Sequence, residues 1–248
     1  MSHSSRDEML LRLSTAATIC QIQPPRRPWL EPLPESVTAS ALEHMVGDIP
    51  PEARIGIIDD PSLQCQPLLG YHPHRDGTLL FVGDAGSGKT TALRMIAYRL
   101  GQQGVAFVCL SGTRTYDATA LPQQPNETTV LLLDDWELFR EHHEFQLGNT
   151  LYQDVLAWIT RGRERGCVTV LSSHRVLSVP PQLLPHIRQQ FFFTERHPEQ
   201  PRPPTASYLT SLVQQEQHRI PGRAWFQNGG FREVQFGHPD QLCELSES

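Results

Sequence analysis

Lysine is nearly missing from this chain: of 21 basic side chains among 248 residues, 20 are arginine and one, Lys89, is lysine. A basic excess is missing as well. Against 27 acidic residues the formal net charge is −6, which argues against a generally basic nucleic-acid-binding surface and leaves room only for a local arginine patch. No apolar run approaches the ~18 residues that a membrane span requires, and no signal peptide is visible at the N-terminus. A soluble, intracellular chain is the expectation. The five cysteines, Cys20, Cys65, Cys109, Cys167 and Cys243, are scattered and include no C-x-x-C pair, so neither a zinc ribbon nor a disulfide framework is expected. Internal repeats are lacking too, and the low-complexity content is one proline-rich stretch at 198–204. The length suits one large domain, or one domain with a small N-terminal appendage.

What is present centres on Thr78 to Leu100, TLLFVGDAGSGKTTALRMIAYRL. The apolar run Leu79 to Val82 reads as a buried strand, and it stops at G-x-x-x-x-G-K-T, Gly83 to Thr90, a phosphate-binding P-loop. Gly83, Gly86 and Gly88 let the backbone turn tightly with its N–H groups facing inward, at the start of the next helix. That helix is predicted from Leu93, Ile96, Ala97 and Leu100, with Gly101 and Gly104 bracketing its end. The candidate ATP-binding residues are therefore Gly83, Asp84, Ala85, Gly86, Ser87, Gly88, Lys89, Thr90 and Thr91. Lys89 is expected to reach the β- and γ-phosphates and to take part in catalysis, and the Thr90 hydroxyl to hold Mg²⁺. A compact ammonium suits the interior of such a loop better than a planar guanidinium, and the sole lysine stands there.

The second motif is TVLLLDD, Thr129 to Asp135. Apolar residues followed by an acid describe a buried parallel strand whose carboxyl end presents Asp134 to the same Mg²⁺. Asp135 is the candidate catalytic base. In vigorous ATPases of this kind a Glu stands there, and Asp is one methylene shorter, so the attacking water is expected to be poorly aligned. Glu137 lies two residues further on and is expected to point away. Cys167 to Ser172 should form another strand leading into Ser173, His174 and Arg175, where a polar sensor of the γ-phosphate would sit. Leu110-Ser111-Gly112 has the letters of a transporter signature without its helical context.

Elsewhere, short helices are predicted over 8–20 and 38–46, separated by the rigid break Pro24 to Pro28 and an extended stretch, Trp29 to Leu33, that lies on something apolar. Arg54 to Ile58 is a strand ending in a turn at Asp59-Asp60-Pro61, Leu68 to Gly70 a short strand, His72 to His74 a proline-stiffened surface loop, and Val105 to Leu110 a strand. Residues 113–128 are expected to be mostly loop. An amphipathic helix over 147–160 buries Leu147, Leu151, Val155, Trp158 and Ile159. Arg161, Arg163 and Arg165 follow; one could act across a subunit boundary as an arginine finger, or they simply balance a helix C-terminus. His142 and His143 are expected to be solvated. A helix over Pro180 to His186, a strand over Gln190 to Thr194, a helix through Tyr208 to Val213 and a hairpin of 224–227 with 232–236 complete the chain.

The order of these pieces resembles the FtsK/SpoIIIE branch of RecA-like ATPases, and more narrowly a later ATPase domain of the EccC/EssC type VII secretion proteins. The resemblance rests on PWLEPLPE (28–35), IGIIDDP (55–61) with Gln64 and Gln66, the P-loop, LLLDDWELF (131–139), Arg165-Gly166, and Pro221-Gly222-Arg223-Ala224. It implies an α/β, RecA-like P-loop NTPase fold, three-layered with a mostly parallel central sheet. An N-terminal extension over residues 1–50 would pack on an ATPase domain over 51–248. It also implies ATP and Mg²⁺ as cofactors and slow or degenerate hydrolysis in assembly or cargo recognition, as in later domains that lack the Glu. The implied partners are other ATPase domains or subunits of a secretion complex and small helical secreted cargo. The implied location is cytoplasmic, at the inner membrane face through a separate anchor. Two other functions stay open: an active DNA-translocating motor, disfavoured by the acidic balance and Asp135, and a P-loop small-molecule kinase, which would need a lid and acceptor pocket.

Overall fold

The structure, a computed structural model, describes residues 30–122, 128–145, 150–162, 166–193, 220–227 and 231–241, together with Met9, Arg12, Leu13, Thr15, Ala16, Ile19 and Cys20. The chain divides into two units, Met1–Glu31 and Pro32–Ser248. In the first, Met9, Arg12, Leu13, Thr15, Ala16 and Ile19 are helical.

In the second unit the helices are α1 (Ala39–His44), α2 (Pro73–Asp76), α3 (Lys89–Gln103), α4 (Trp136–His143) and α5 (Leu151–Arg161). The strands are β1 (Arg54–Asp59), β2 (Leu68–Gly70), β3 (Thr78–Gly83), β4 (Ala106–Ser111), β5 (Thr129–Asp134), β6 (Cys167–Ser173), β7 (Ile187–Phe193), β8 (Arg223–Gln227) and β9 (Phe231–Phe236). Among the described residues they form a nine-stranded sheet in the order β2-β1-β9-β8-β7-β3-β6-β5-β4. From β7 to β4 every pairing is parallel; from β7 to β2 every pairing is antiparallel. The parallel half is where the strand sequences are apolar at consecutive positions, because both of its faces are covered.

Alternation within those strands divides the apolar residues between two cores. Leu79 and Phe81 of β3, Val130 and Leu132 of β5 and Val170 of β6 pack with Leu93, Ile96 and Leu100 of α3. Leu80, Val82, Leu131, Leu133 and Leu171 point the other way, onto Trp136 and Phe139 of α4 and Leu151, Val155 and Ile159 of α5. Helices on both faces of the sheet make the expected three layers. Where the parallel and antiparallel halves meet, Phe81 packs edge-on against Phe191, Phe193 and Phe236 with ring centroids 5.2–5.5 Å apart.

Two buried arginines fasten α1 to this body. Arg54 donates to the carbonyls of Leu42, Glu43, Met45 and Ile49, the otherwise orphaned end of α1 and the loop after it. Arg99, 1% exposed, donates to the carbonyls of Arg54 and Ala39 and to Glu43 Oε1. Burial works to raise the Glu43 pKa less than the Arg99 hydrogen bond lowers it, so the carboxyl stays below its ordinary value. A third arginine joins the extended lead-in to the C-terminal hairpin: Arg223 Nη2 donates to the carbonyls of Leu33 (3.0 Å) and Pro34 (2.9 Å). Leu33 is buried, as is Val37 beyond it, but Leu30 and Pro32 are exposed, so only the end of the stretch lies on the apolar bed expected for it.

Several local expectations are corrected. His143 is 1% exposed, with its ring 4.8 Å from that of Phe139, because α4 turns its last residue into the α4–α5 core. His72 to His74 is not a plain loop: Pro73 opens the single turn of α2, and Asp76 accepts from the His72 amide at 2.7 Å. The helix expected over 180–186 is a turn followed by a 3-10 turn at Leu184–His186, since Pro185 supplies no amide to an α-helical ladder. β7 begins at Ile187, earlier than Gln190. In α5 the predicted stripe is buried from Leu151 onward, whereas Leu147 lies outside the described residues. So do Arg163, Arg165, the proline-rich stretch, the helix through Tyr208 and the Asn228–Gly230 turn. Replacing Arg99 with Ala strands two buried carbonyls and the Glu43 carboxylate, and is expected to lower stability by about 3 kcal/mol, measured as a fall in the urea midpoint with an unchanged m-value.

Candidate functional site

β3 ends at Gly83, and the chain turns through Gly86 (φ 74°) and Gly88 (φ 98°) into α3. Both positions lie in the left-handed region that L side chains rarely adopt. Gly88 also carries a packing constraint, since a Cβ there would lie 2.3 Å from the Gly222 nitrogen. The Gly222 amide donates to the Ser87 carbonyl at 2.9 Å, and the Phe236 amide donates to Gly222 O, also at 2.9 Å. The hairpin of β8 and β9 thus backs the P-loop directly. The N-cap of α3 is Gly88, which has no side chain to cap it, so the helix's first-turn amides face the loop with the positive end of the helix dipole. Lys89, 8% exposed, folds over the loop and donates from Nζ to the carbonyls of Gly83 (2.6 Å) and Asp84 (2.8 Å). At Gly86 a Cβ would meet nothing within 4 Å, so the loop is open on that side.

Thr90, the second residue of α3, donates from Oγ1 to Asp134 Oδ2 at 2.7 Å. The other oxygen of Asp134 accepts from Ser172 Oγ at 2.6 Å, and Ser172 Oγ accepts in turn from the Asp135 amide at 2.8 Å. Hydroxyl and carboxylate together are hard oxygen donors, the set suited to Mg²⁺. The sequence places these residues 44 positions apart; the sheet brings them together because β3 and β5 flank β6.

Asp135 takes the left-handed conformation (φ 62°, ψ 74°) and is the N-cap of α4, with its carboxylate accepting from the Leu138 amide at 3.3 Å. Asp is one of the few residue types that tolerate this backbone and cap a helix from it. Its identity therefore has a local cause beside any catalytic one. Its other oxygen faces His174 Nε2 at 3.6 Å.

The expectation that Glu137 points away is overturned. The left-handed step at Asp135 swings the first turn of α4 back across the end of β6, so Trp136 enters the core and Glu137 reaches the turn after β6. Its Oε1 accepts from Ser173 Oγ (2.7 Å) and from the amides of His174 (2.9 Å) and Arg175 (3.3 Å). Ligand atoms of Asp135, Glu137 and His174 lie within 4.8 Å of one another. Burial works to raise the Glu137 pKa, but the Ser173 and backbone hydrogen bonds outweigh it and hold the carboxyl below its ordinary value.

Sequence reasoning gave Ser172 and Gly222 no part in the site and turned Glu137 away from it. The polar pair Ser172-Ser173 ending an apolar strand, fully buried in the fold, was the available signal for the first. Gly112 also finds its reason: its amide donates to Asp134 O at 2.7 Å, and a Cβ there would lie 2.3 Å from Asp135 O. It is a close-approach glycine under the acidic turn. His74 Nε2 lies 2.7 Å from the Thr128 hydroxyl.

A parallel sheet edge bearing this P-loop, with an acid from the neighbouring strand beside its threonine, defines a RecA-like P-loop NTPase fold. The chain matches no protein-family model and no curated protein. It is similar to EssC (ATPases 2 and 3) from Geobacillus thermodenitrificans, with TM-score 0.57 and 16% identity over 87% of this chain and 49% of that one. It is similar also to Thermomonospora curvata EccC (ATPases 2 and 3) in complex with a signal sequence peptide, with TM-score 0.52 and 17% identity over 85% and 44%. A third is the pCW3 conjugation coupling protein TcpA, monomer form with ATPγS, with TM-score 0.53 and 11% identity over 84% and 71%. The chain spans about half or less of the EssC and EccC structures it matches. Because the loop geometry depends on the Gly88–Gly222 contact, Gly88→Ala should push Gly222 away. Hydrogen exchange is expected to rise at the Gly222 amide, about tenfold per 1.4 kcal/mol of local opening, while exchange in α5 stays unchanged.

Proposed function

We propose that this chain is an ATP-binding module of a type VII secretion-type ATPase, binding ATP with Mg²⁺ and hydrolysing it slowly. The observation that carries this reading is the Thr90–Asp134–Ser172 chain, which puts a hard-oxygen pair beside a P-loop closed by Lys89. In this reading the α3 amides and the loop from Gly83 to Thr91 bind the phosphates, and Lys89 moves from its loop carbonyls to phosphate oxygens. Thr90 and Asp134 would hold Mg²⁺, which when bound neutralises charge between the β- and γ-phosphates.

Slow turnover follows from the two carboxylates beyond Asp134. Asp135 is committed to the helix cap and faces His174. Glu137 has its Oε1 engaged by three donors and a lowered pKa, which makes it a weak proton acceptor. Its second oxygen, Oε2, is buried and makes no hydrogen bond among the described residues, so in this reading it is closed off from a solvent water. The secretion assignment draws on fold likeness to EssC and EccC, one of which was solved with a signal sequence peptide. Other ATPase domains and a helical secreted substrate are the corresponding partners. No helix among the described residues is long and apolar enough to cross a membrane; cytoplasmic action through a separate anchor belongs to the secretion reading.

The test is calorimetric titration with ATP and Mg²⁺ alongside steady-state phosphate release. The native chain is expected to bind, to turn over well below ~1 s⁻¹, and to lose binding on Lys89→Ala. Asp135→Glu restores the missing methylene and is expected to raise turnover, general-base positioning being worth roughly 10²–10⁴-fold when correct, at about 1 kcal/mol of helix-cap stability. Absence of binding, or native turnover above ~1 s⁻¹, would overturn the reading.

A further inference from the structure

Three donors converge on Oε1 of Glu137, all from the last residue of β6 and the turn after it: the His174 amide, the Arg175 amide, and the Ser173 hydroxyl, whose one proton the Arg175 carbonyl can also take at 2.8 Å. A carboxylate that accepts from a hydroxyl and successive amides is a strong, charge-assisted anchor. One residue in the first turn of α4 therefore fixes the backbone of a different segment. The anchored turn has a defined address. Ser173 pairs in register with Val82, the last residue before the P-loop, so His174 follows at the carboxyl edge of the sheet, beside Gly83. On its other side the same strand end is tied to Asp134 through Ser172.

The ring of His174 is positioned as well. Its Nε2 lies 3.6 Å from Asp135 Oδ2 with 38% of the side chain exposed, so the imidazole stands at the mouth of the site. Two free carboxylates here would repel a polyphosphate. Instead Glu137 is engaged by donors and Asp135 faces the imidazole.

We propose that Glu137 is a positioning residue that holds His174 and the Ser173–Arg175 turn where the terminal phosphate of a nucleoside triphosphate would lie, so that the site distinguishes a triphosphate from a diphosphate through this turn. This rests on the ATP-binding reading above. A diphosphate ends at the P-loop and Lys89; an added phosphate extends along the carboxyl edge toward the β5 and β6 ends, where the turn offers an imidazole beside an anchored backbone. Asp134 and Thr90 are common to both ligands, whereas the turn serves the triphosphate alone.

The experiment measures the affinities of the full chain for ATPγS and ADP, each with Mg²⁺, in the native protein and in Glu137→Ala, Glu137→Gln, His174→Ala and the Glu137→Ala/His174→Ala double variant. Glu137→Ala is expected to weaken ATPγS about tenfold or more, the value of a hydrogen bond to a charged group, with ADP affected less than about twofold. His174→Ala should give a similar loss, and the double variant no more than either, since both act on one contact. Glu137→Gln keeps an acceptor oxygen and should recover part of the selectivity. Equal weakening of both nucleotides, or unchanged selectivity in both Glu137→Ala and His174→Ala, would overturn the proposal and leave nucleotide binding standing. Should Glu137→Ala fail to fold, His174→Ala decides alone, because it leaves the anchoring carboxylate in place. Native protein that binds neither nucleotide would overturn the underlying reading instead, and this proposal with it.

Discussion

The carboxylate of Asp134 is the constraint on which the site depends. One oxygen takes the Thr90 hydroxyl from the helix after β3, and the other takes the Ser172 hydroxyl from β6. A partly buried carboxylate is costly unless its oxygens have donors, and here the two donors come from different elements. Satisfying one side chain therefore sets the axial alignment of β3, β5 and β6. Ser172 relays the constraint one step further by accepting the Asp135 amide, which helps hold the left-handed step that starts α4. The direction of α4, the burial of Trp136 and the reach of Glu137 all follow from that step.

The antiparallel half of the sheet serves the same loop from behind. The Gly222 amide meets the Ser87 carbonyl, and the absence of side chains at Gly88 and Gly222 permits the approach. Arg223, the next residue, ties the hairpin to Leu33 and Pro34, and Gln235 Nε2 donates to Pro221 O at 3.1 Å. Leu33 and Pro34 of one segment that carried the resemblance are thus hydrogen-bonded to Arg223 of another. Their separation in sequence hid a contact that the fold makes directly.

Acidity beside the P-loop is managed by engagement and not by absence. Asp134, Asp135 and Glu137 all crowd the carboxyl edge, and each has donors or an imidazole facing it. Water-aligning chemistry needs a carboxylate with an uncommitted lone pair and a pKa that permits proton uptake. The bonds that hold this edge together are the same bonds that engage both oxygens of Asp134 and Oε1 of Glu137.

The sequence by itself determined the parts whose cause is local. Apolar runs bounded by glycine or acid marked β3 and β5, helical spacing marked α3 and the buried stripe of α5, and the motif around Lys89 marked the loop. In each case the controlling interactions lie within a few residues, so period and punctuation report them. Only the tertiary structure decided what depends on register and on backbone handedness. The left-handed Asp135 turned Glu137 inward against the expectation from its spacing, and α4 buried His143, which composition would have left in water. Ser172 became a ligand of Asp134 because β6 lies between β3 and β5, an adjacency that no stretch of chain encodes alone. The physical reason is the same throughout: side-chain direction is set by a single φ angle and by which strand comes next in the sheet, and neither quantity is written in the order of the residues around it.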